Sequence, residues 1–253
     1  KDQAGGSRAA AHLLFRNALA EADSYRRAPA AYGQNGPLLK RADAAALVPV
    51  LDGRMPLLVH VERASDIRQT LALKKEFPGL KLVLVGVSEG WPVAREIAAA
   101  GVPVLAAALA DLPAAFETLA ATESNVGRLQ KAGIVAGIQA LGNGGQRNLT
   151  QFAGNLVALT KVPGATGLDW GGAFASITSK PAAAIGMDAE IGSLRPGRRA
   201  DVVVWSGDPL EISSEPQAVF IDGVQQPLEN RQTKLRDRYR TPVEGELPKA
   251  YER

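Results

Sequence analysis

The chain has 253 residues, of which 46% are hydrophobic and 22% are charged, and its formal net charge is +3. This composition is typical of a globular protein with one large domain or two small ones, and it excludes wholesale disorder. Because the sequence contains no cysteine, disulfides, thiolate metal sites and a thiol nucleophile are excluded.

The charge and hydropathy patterns argue against two kinds of partner. The densest basic run, RQTKLRDRYR, contains an acidic residue and has no aromatic-rich basic face beside it. We therefore expect no nucleic-acid partner. No apolar run approaches the ~20 residues that span a bilayer, so we also expect no membrane partner. The chain begins with Lys1 rather than Met, and we expect an upstream segment that was removed or that lies outside this chain.

The first part of the chain predicts two helices. The segment SRAAAHLLFRNALAEADSYRRA has apolar residues at three- and four-residue spacings, with Ser7 as its N-cap. That pattern is typical of a long amphipathic helix. Gly and Pro in YGQNGP break it, and RADAAALVPVLDGRM then predicts a shorter helix.

From residue 56 onward, short apolar strands alternate with helices. The predicted strands are PLLVHVE, LKLVLVGV, VPVLAAA and IVAGIQAL. The predicted helices are ASDIRQTLALKKEFPG, WPVAREIAAAG, PAAFETLA and ESNVGRLQKAG, with three more over residues 149–187 after the loop GNGGQRN. Strands that are apolar along their whole length indicate a parallel sheet covered on both faces. A (β/α) barrel and an open doubly wound sheet both fit, and no phosphate-binding glycine motif follows a strand.

The pattern changes after Asp188. The segments IGSL, DVVVWS and AVFIDGV predict short strands with two-residue periodicity. Asp222-Gly223 predicts a tight turn between two antiparallel strands. Residues 229–253 are charged and contain Pro, and we expect an extended surface tail there.

The segment IGSLRPGRRADVVVWSGDPLE resembles the end of proteins of the amidohydrolase superfamily, in particular its imidazolonepropionase-related branch. Members of that branch end with Gly-x-Leu-x-Pro-Gly-x-x-Ala-Asp and a hydrophobic run, and here that pattern begins at Gly192. Earlier segments resemble the same family in the same order. They are GGSRAAAHLLFRNALAEADSY before the fifth barrel strand, LLVHVERASDIRQTLALKKEF at that strand, GIVAGIQALGNGGQRNL at the eighth strand and ASITSKPAAAIGMDAEIGSLRPG after it.

The resemblance implies an α/β fold made of two incomplete parts. Residues 1–188 would form the C-terminal part of a TIM-like (β/α)8 barrel, residues 189–228 the returning strands of a small β-sandwich domain, and residues 229–253 a charged C-terminal tail. Half a barrel would expose strand edges and apolar faces. We therefore expect an obligate partner, the N-terminal half of the barrel as a separate fragment or subunit, in a homo- or hetero-oligomer. The resemblance also suggests a periplasmic location, with the cytoplasm as the alternative.

The same resemblance implies a metal centre that is reduced in this chain. Family members hold one or two divalent metals with a first-strand His-x-His, two later histidines and an Asp. Here His60 matches the fifth-strand ligand for zinc or another divalent metal, although a lone His in an apolar strand is also typical of a core residue. We expect His12 to be a core-edge or surface residue. Gly86-Val87 stands where many members have another metal-binding His, and Leu141 stands where the catalytic Asp is expected. One imidazole is fewer than the about three protein ligands of a catalytic zinc.

Polar residues at the strand ends are expected to line the mouth of the barrel, where such sites form. Arg147 follows a glycine cluster and precedes a helix start, so it can clamp a substrate carboxylate. Alternatively, Arg147 ties the loop to a neighbouring carboxylate and Asn148 caps the helix. The expected substrate-binding residues are Glu62, Gln139, Asn143, Arg147 and Asn148.

Two functions of different classes follow. The first is a hydrolase of C–N bonds other than ordinary peptide bonds, acting on a cyclic amide or peptide-like substrate once the N-terminal half is supplied. The second is a catalytically inactive amidohydrolase-like subunit with a binding or assembly role. A serine hydrolase is disfavoured, because Ser88 in GVSEG is one glycine short of a nucleophile elbow and no His follows it.

Overall fold

The computed structural model describes residues 6–33, 36–140 and 145–240. The chain divides into two compact units, Lys1–Ser193 and Leu194–Arg253. The expectations for Leu141 and Asn143 lie outside the described residues.

The first unit alternates helices with strands, and all four strands that the sequence predicts there are present. Short 3₁₀ turns precede α4 and α6. In chain order the elements are α1 (Arg8–Arg27), α2 (Arg41–Leu51), β1 (Leu57–Val61), α3 (Ala64–Glu76), β2 (Leu82–Gly86), α4 (Ala94–Ala99), β3 (Val104–Ala107), α5 (Asn125–Lys131), β4 (Ala136–Gln139), α6 (Leu149–Ala158), α7 (Trp170–Ala175) and α8 (Ser179–Ala184).

The four strands form one parallel sheet in the order β1-β2-β3-β4. The register aligns Val59 with Leu84, Leu84 with Val104, and Val104 with Ala136. Every residue of β2 is buried, as expected for a parallel strand covered on both faces. Because all four strands run in the same direction, their carboxyl ends lie together at one end of the sheet. The residues that follow each strand are therefore brought close to one another there.

The first helices pack into a hydrophobic core beside this sheet. Ser7 accepts a hydrogen bond from the Ala10 N–H (3.1 Å), which confirms the predicted N-cap of α1. Apolar side chains from α1, α2 and the end of α3 meet in one buried cluster. Its members are Leu19, Ala22, Val50, Leu51, Leu73, Phe77 and Leu80. None of the helices in the described ranges combines the length and the apolar character needed to cross a membrane.

The two outer edges of the sheet differ. Within the described ranges, no strand pairs with the free edge of β1, and Leu58 in that strand is 49% exposed. On the other side, the Ile138 N–H of β4 donates to the Ser176 carbonyl (2.9 Å). Pro181 of α8 packs against Gly137, where an added Cβ would lie 2.9 Å from Pro181 Cγ. The loop and helix after α7 therefore protect β4, whereas β1 presents unpaired backbone groups.

The second unit is a small antiparallel sheet followed by a helix. Its strands are β5 (Val202–Trp205), β6 (Pro216–Ile221) and β7 (Val224–Gln226), in that order in the sheet. Asp222 and Gly223 have φ angles of 51° and 76°. Two successive positive φ angles define the two-residue hairpin turn that suits twisted strands, so the predicted tight turn is confirmed.

The faces of this sheet are incompletely covered by the unit itself. Val203 and Val204 are 42% and 44% exposed. Because successive side chains of a strand point to opposite faces, exposed valines at neighbouring positions show that both faces of the sheet retain accessible apolar surface.

Three predictions of local structure were wrong. The expected strand IGSL does not form, because the Ile191 N–H turns back to the Met187 carbonyl (2.9 Å) and Gly192 has a φ of 84°. The tail is not extended over Arg231–Arg240, which form helix α9. Asn230 starts that helix by accepting the N–H groups of residues 232 and 233. The expected helix in PAAFETLA is a single 3₁₀ turn, Phe116–Thr118.

Candidate active site

The carboxyl ends of β1 and β2 bring three polar side chains into one hydrogen-bonded group. His60 Nε2 lies 2.9 Å from Glu62 Oε1. The other oxygen, Glu62 Oε2, accepts both the backbone N–H of Ser88 (2.9 Å) and its hydroxyl (2.7 Å). The His60 side chain is 63% exposed, the Glu62 side chain is 20% exposed, and Ser88 is buried at 4%. The group therefore runs from a buried hydroxyl, through a carboxylate, to an imidazole in contact with solvent.

Ser88 supports Glu62 and is not arranged as a nucleophile. Both of its hydrogen-bond donors point at the same carboxylate oxygen, and its side chain is inaccessible. The nearest N–H groups, which would have to form an oxyanion hole, are already used: Glu89 donates to the Glu62 carbonyl and Gly90 to the Val87 carbonyl.

The turn after β2 makes room for this group. Gly86 has a φ of 88°, and a Cβ there would overlap Glu62 Oε1 and lie 2.9 Å from His60 Nε2. Val87, next in the chain, has a φ of 57° and is fully buried. A positive φ is rare and strained for a β-branched residue. The backbone is therefore held in an unfavourable conformation directly before Ser88.

Asn125, at the start of α5, holds this strained turn. Its side chain is 2% exposed. Asn125 Nδ2 donates to the Val87 carbonyl (2.8 Å), and Asn125 Oδ1 accepts the Trp91 N–H (3.0 Å). The amide thus bridges both ends of the turn that carries Ser88. The sequence analysis did not identify Asn125, because its partner groups are main-chain atoms 34 and 38 residues away.

Glu89 ties the neighbouring loops together. Glu89 Oε2 accepts the Ala64 N–H at the start of α3 (3.0 Å), and Glu89 Oε1 accepts the Ala120 N–H in the loop after β3 (3.1 Å). Both of its carboxylate oxygens bind main-chain groups, so its role is to position loops beside the site.

The other expected site residues do not join this group. Gln139 ends β4, and its register position lies on the same face of the sheet as His60, at the opposite side. Arg147 and Asn148 are exposed in a 3₁₀ turn. Among the described residues, Arg147 has no ion-pair partner, and the Asn148 side chain makes no capping bond to α6. The described residues therefore show neither an ion pair that ties Arg147 to a neighbouring carboxylate nor a helix cap made by the Asn148 side chain. His12 lines a cleft of about 220 Å³ together with Val59 and Val61 of β1. Because successive side chains of a strand point to opposite faces, this cleft lies on the other face of the sheet from His60.

The described residues bring together too few ligand atoms to hold a catalytic metal. His60 and Glu62 bring two ligand atoms together, and no group of three or more His, Asp or Glu side chains in the described ranges could hold an ion. A catalytic zinc takes about three protein ligands. The described part of the chain therefore does not form such a site by itself, and we derive no step through a metal.

Burial shifts the pKa of one residue in the helix that packs on β4. Burial lowers the pKa of Lys180, in α8, and the negative charge of Asp169 partly opposes this.

Comparison with known proteins decides the family. Residues 54–228 match the family model described as "Amidohydrolase family". The chain belongs to the amidohydrolase family. An amidohydrolase from Thermotoga maritima MSB8 aligns with a TM-score of 0.74 at 23% identity, covering 87% of this chain and 56% of that structure. At this identity the match shows the fold, an α/β fold with a parallel sheet.

Two curated amidohydrolase-related proteins are similar in sequence. An imidazolonepropionase from Maricaulis maris is 30% identical over 162 residues, which is 62% of this chain and 37% of that protein. Amidohydrolase tasK from Hapsidospora irregularis is 43% identical over 60 residues, which is 24% of this chain and 6% of that protein. The resemblance to the imidazolonepropionase-related branch is thereby confirmed. The chain spans well under half the length of these relatives.

Proposed function

We propose that this chain is the C-terminal part of a hydrolase that acts on a C–N bond other than an ordinary peptide bond, in a cyclic amide or peptide-like substrate. The observation that carries the proposal is the His60–Glu62–Ser88 group at the carboxyl ends of β1 and β2. Barrel enzymes place their reacting groups at this end of the sheet.

Glu62 and His60 have the chemistry to move a proton at this position. A carboxylate oriented by two donors from Ser88 presents its other oxygen toward His60 in a fixed direction. The exposed imidazole connects that oxygen with solvent. Hydrolysis of a C–N bond requires proton transfer from the attacking water and to the leaving nitrogen. In this proposal, Glu62 is the proton acceptor and His60 exchanges protons between Glu62 and bulk water.

The proposal includes an N-terminal half of the barrel that is supplied elsewhere. The unpaired edge of β1, with Leu58 exposed beside it, is a surface that a further parallel strand can cover. Exposed valines on both faces of the β5–β7 sheet support a second contact with missing strands. A zinc or other divalent metal held by His60 would need about two further ligands from that half.

A catalytically inactive subunit is the second candidate, and the small donor set favours it. With only two ligand groups together among the described residues, this chain can serve as a binding or assembly partner without a metal. Its strand edge and apolar sheet faces are then the surfaces that bind the partner.

The test combines this chain with its N-terminal half and measures metal content and amide hydrolysis. The two histidines provide a matched pair of variants. We expect stoichiometric metal and hydrolysis of a cyclic amide in the assembly, both lost in His60→Ala and both retained in His12→Gln. An assembly that forms but binds no metal between about pH 6 and pH 9 would support the inactive subunit instead.

The partner requirement is tested separately. Light scattering and thermal unfolding of this chain alone should show self-association or a non-cooperative transition. A monomer that unfolds in one cooperative step would contradict the obligate partner.

A further inference from the structure

Arg128 and Trp91 form a stacked pair near the turn that carries Ser88. The Arg128 guanidinium carbon lies 4.5 Å from the centroid of the Trp91 ring. A cation over an indole face within about 6 Å is attracted by the ring. The contact with the ring uses none of the guanidinium N–H donors in a conventional hydrogen bond, so those that point away from the ring can bind other groups.

Both members of the pair are held in place. The Trp91 indole Nε1–H donates to the Ala120 carbonyl (2.8 Å), and the Trp91 backbone N–H donates to Asn125 Oδ1 (3.0 Å). Asn125 lies one helical turn before Arg128 on α5, so the same residue that fixes the tryptophan also starts the helix that carries the arginine. The pair is therefore preformed, which lowers the entropy cost of binding a ligand.

The guanidinium has no acidic partner among the described residues. Arg128 is half-buried and takes part in none of the ion pairs or side-chain hydrogen bonds that the described ranges contain. The acidic residues that flank Trp91 and Arg128 in the sequence do not form an ion pair with the guanidinium. Both oxygens of Glu89 accept main-chain N–H groups, Glu117 pairs with Arg8, and Glu123 makes no ion pair with it. A fixed, half-buried cation without a carboxylate is suited to bind one from a ligand.

Exposed apolar side chains lie close in sequence to Ala120, whose carbonyl group accepts the Trp91 indole N–H. Phe116 is 82% exposed and Leu119 is 62% exposed, and Leu119 directly precedes Ala120, whose carbonyl accepts the indole N–H. Trp91 itself is 37% exposed. Exposed large apolar residues in the loop that anchors Trp91 favour a ligand with an apolar group, and the Arg128 cation favours an anionic group on the same ligand.

We propose that Arg128 and Trp91 form a carboxylate-binding subsite for a small ligand with an apolar side chain, such as an N-acylated amino acid. Trp91 is three residues from Ser88, so their Cα atoms lie within roughly 10 Å of each other. The subsite rests on the proposed function in one respect. It would hold the carboxylate of a peptide-like substrate while the C–N bond of that substrate lies at Glu62.

Binding is tested without turnover, by NMR on the assembly with the N-terminal half, in which only this chain is isotope-labelled. The sequence has three tryptophans, so the indole N–H signals are few, and Trp91→Phe assigns the signal of Trp91. N-acetyl-L-leucine is titrated against N-acetyl-L-leucinamide, which has the same shape and no charge. We expect the carboxylate to shift the Trp91 signal in a saturable way and the amide to bind at least ten-fold more weakly.

Protein variants give the second comparison. Arg128→Gln should weaken binding of the carboxylate at least ten-fold, and Arg128→Lys should weaken it less because the charge remains. Arg95→Gln removes an exposed positive charge four residues from Trp91 and should change the Kd less than two-fold. Equal binding of carboxylate and amide by the unmodified chain would refute the subsite, even if Arg128→Gln failed to fold.

The outcomes also separate this subsite from the proposed function. An assembly that binds the carboxylate through Arg128 but hydrolyses no amide retains the subsite and refutes the hydrolase. An assembly that hydrolyses an amide with the same KM in Arg128→Gln retains the hydrolase and refutes the subsite.

Discussion

Gly86 leaves open the space that the Glu62 carboxylate occupies. A Cβ at position 86 would overlap Glu62 Oε1, and it would also lie 2.9 Å from His60 Nε2. By its position in the sequence, Gly86 stands with Val87 where many family members have a metal-binding His. The structure shows that the absence of a side chain there lets two residues from the neighbouring strand approach each other.

The first prediction concerns this space. Gly86→Ala should separate His60 from Glu62 and lower the free energy of unfolding by about 2–4 kcal/mol, because a steric overlap is added to a strained positive φ. Gly133→Ala is the matched control, since Gly133 has a similar φ (83°) and an added Cβ there meets nothing within 4 Å. Urea unfolding of the assembly with the N-terminal half, in which the variants below are also compared, gives the two free energies of unfolding. The imidazole NMR signal of His60 reports the separation. Equal losses of unfolding free energy in the two variants, with an unchanged His60 signal, would show that His60 and Glu62 do not need the space beside Gly86.

The second prediction concerns the hydroxyl of Ser88. Ser88→Ala removes the 2.7 Å hydrogen bond to Glu62 Oε2 and leaves the backbone N–H in place. We expect a loss of about 1–2 kcal/mol in the free energy of unfolding, because the bond is partly buried and its acceptor is ionised. Ser65→Ala, which removes a longer bond (3.3 Å) on the surface, should change stability by less than about 0.5 kcal/mol. Chemical denaturation of both variants measures the difference, and a Ser88→Ala loss no larger than that of Ser65→Ala contradicts the support role.

The third prediction compares two asparagines at helix starts. Asn125→Ala should cost about 2–3 kcal/mol of unfolding free energy, because it removes two hydrogen bonds inside the structure and leaves the strained turn at Val87 without its bridge. Asn148→Ala should cost less than about 0.5 kcal/mol, since its side chain makes no cap bond among the described residues. Thermal unfolding of the two variants is the measurement. The reverse order would mean that Asn148 caps α6 and that Asn125 is dispensable.

The fourth prediction concerns acid stability and Glu21. Partial burial raises the pKa of Glu21. The N–H groups of Leu39 and Leu38 and the Tyr32 hydroxyl outweigh that effect, so the pKa lies below its ordinary value. Because the folded-state pKa is the lower one, unfolding takes up a proton as the pH falls. The stability that Glu21 contributes is complete above its ordinary pKa of about 4.3 and is lost as the pH falls through the folded-state pKa.

Glu21→Gln therefore should lower stability by about 1 kcal/mol at pH 7, and it should lose less stability than the unmodified chain between pH 5 and pH 3. Glu190→Gln, on the surface and without an ion pair among the described residues, should follow the unmodified chain. Denaturation curves at several pH values decide this. Parallel pH profiles for Glu21→Gln and the unmodified chain would show that other carboxylates carry the acid sensitivity.

Local pattern was enough to predict most elements of the first unit. The uniformly apolar run at β2 indicated a strand buried on both faces, and the structure buries every residue of it. The N-cap at Ser7 and the turn at Asp222 were predicted because their signals depend on neighbours within three residues. Local signals failed at Gly192 and at Arg231–Arg240, where turn bonds and a capping side chain overrode the apparent pattern.

The sequence by itself determined the family, the parallel strands and the presence of His60 and Glu62 two residues apart at the end of one strand. Only the tertiary structure decided that Ser88 points both of its donors at Glu62, that Asn125 bridges the turn after β2, and that Arg128 stacks on Trp91. The physical reason is the range of the interactions. Hydrophobic periodicity and capping act over a few residues, whereas these contacts join main-chain and side-chain atoms 26 to 38 residues apart and exist only once the strands are aligned.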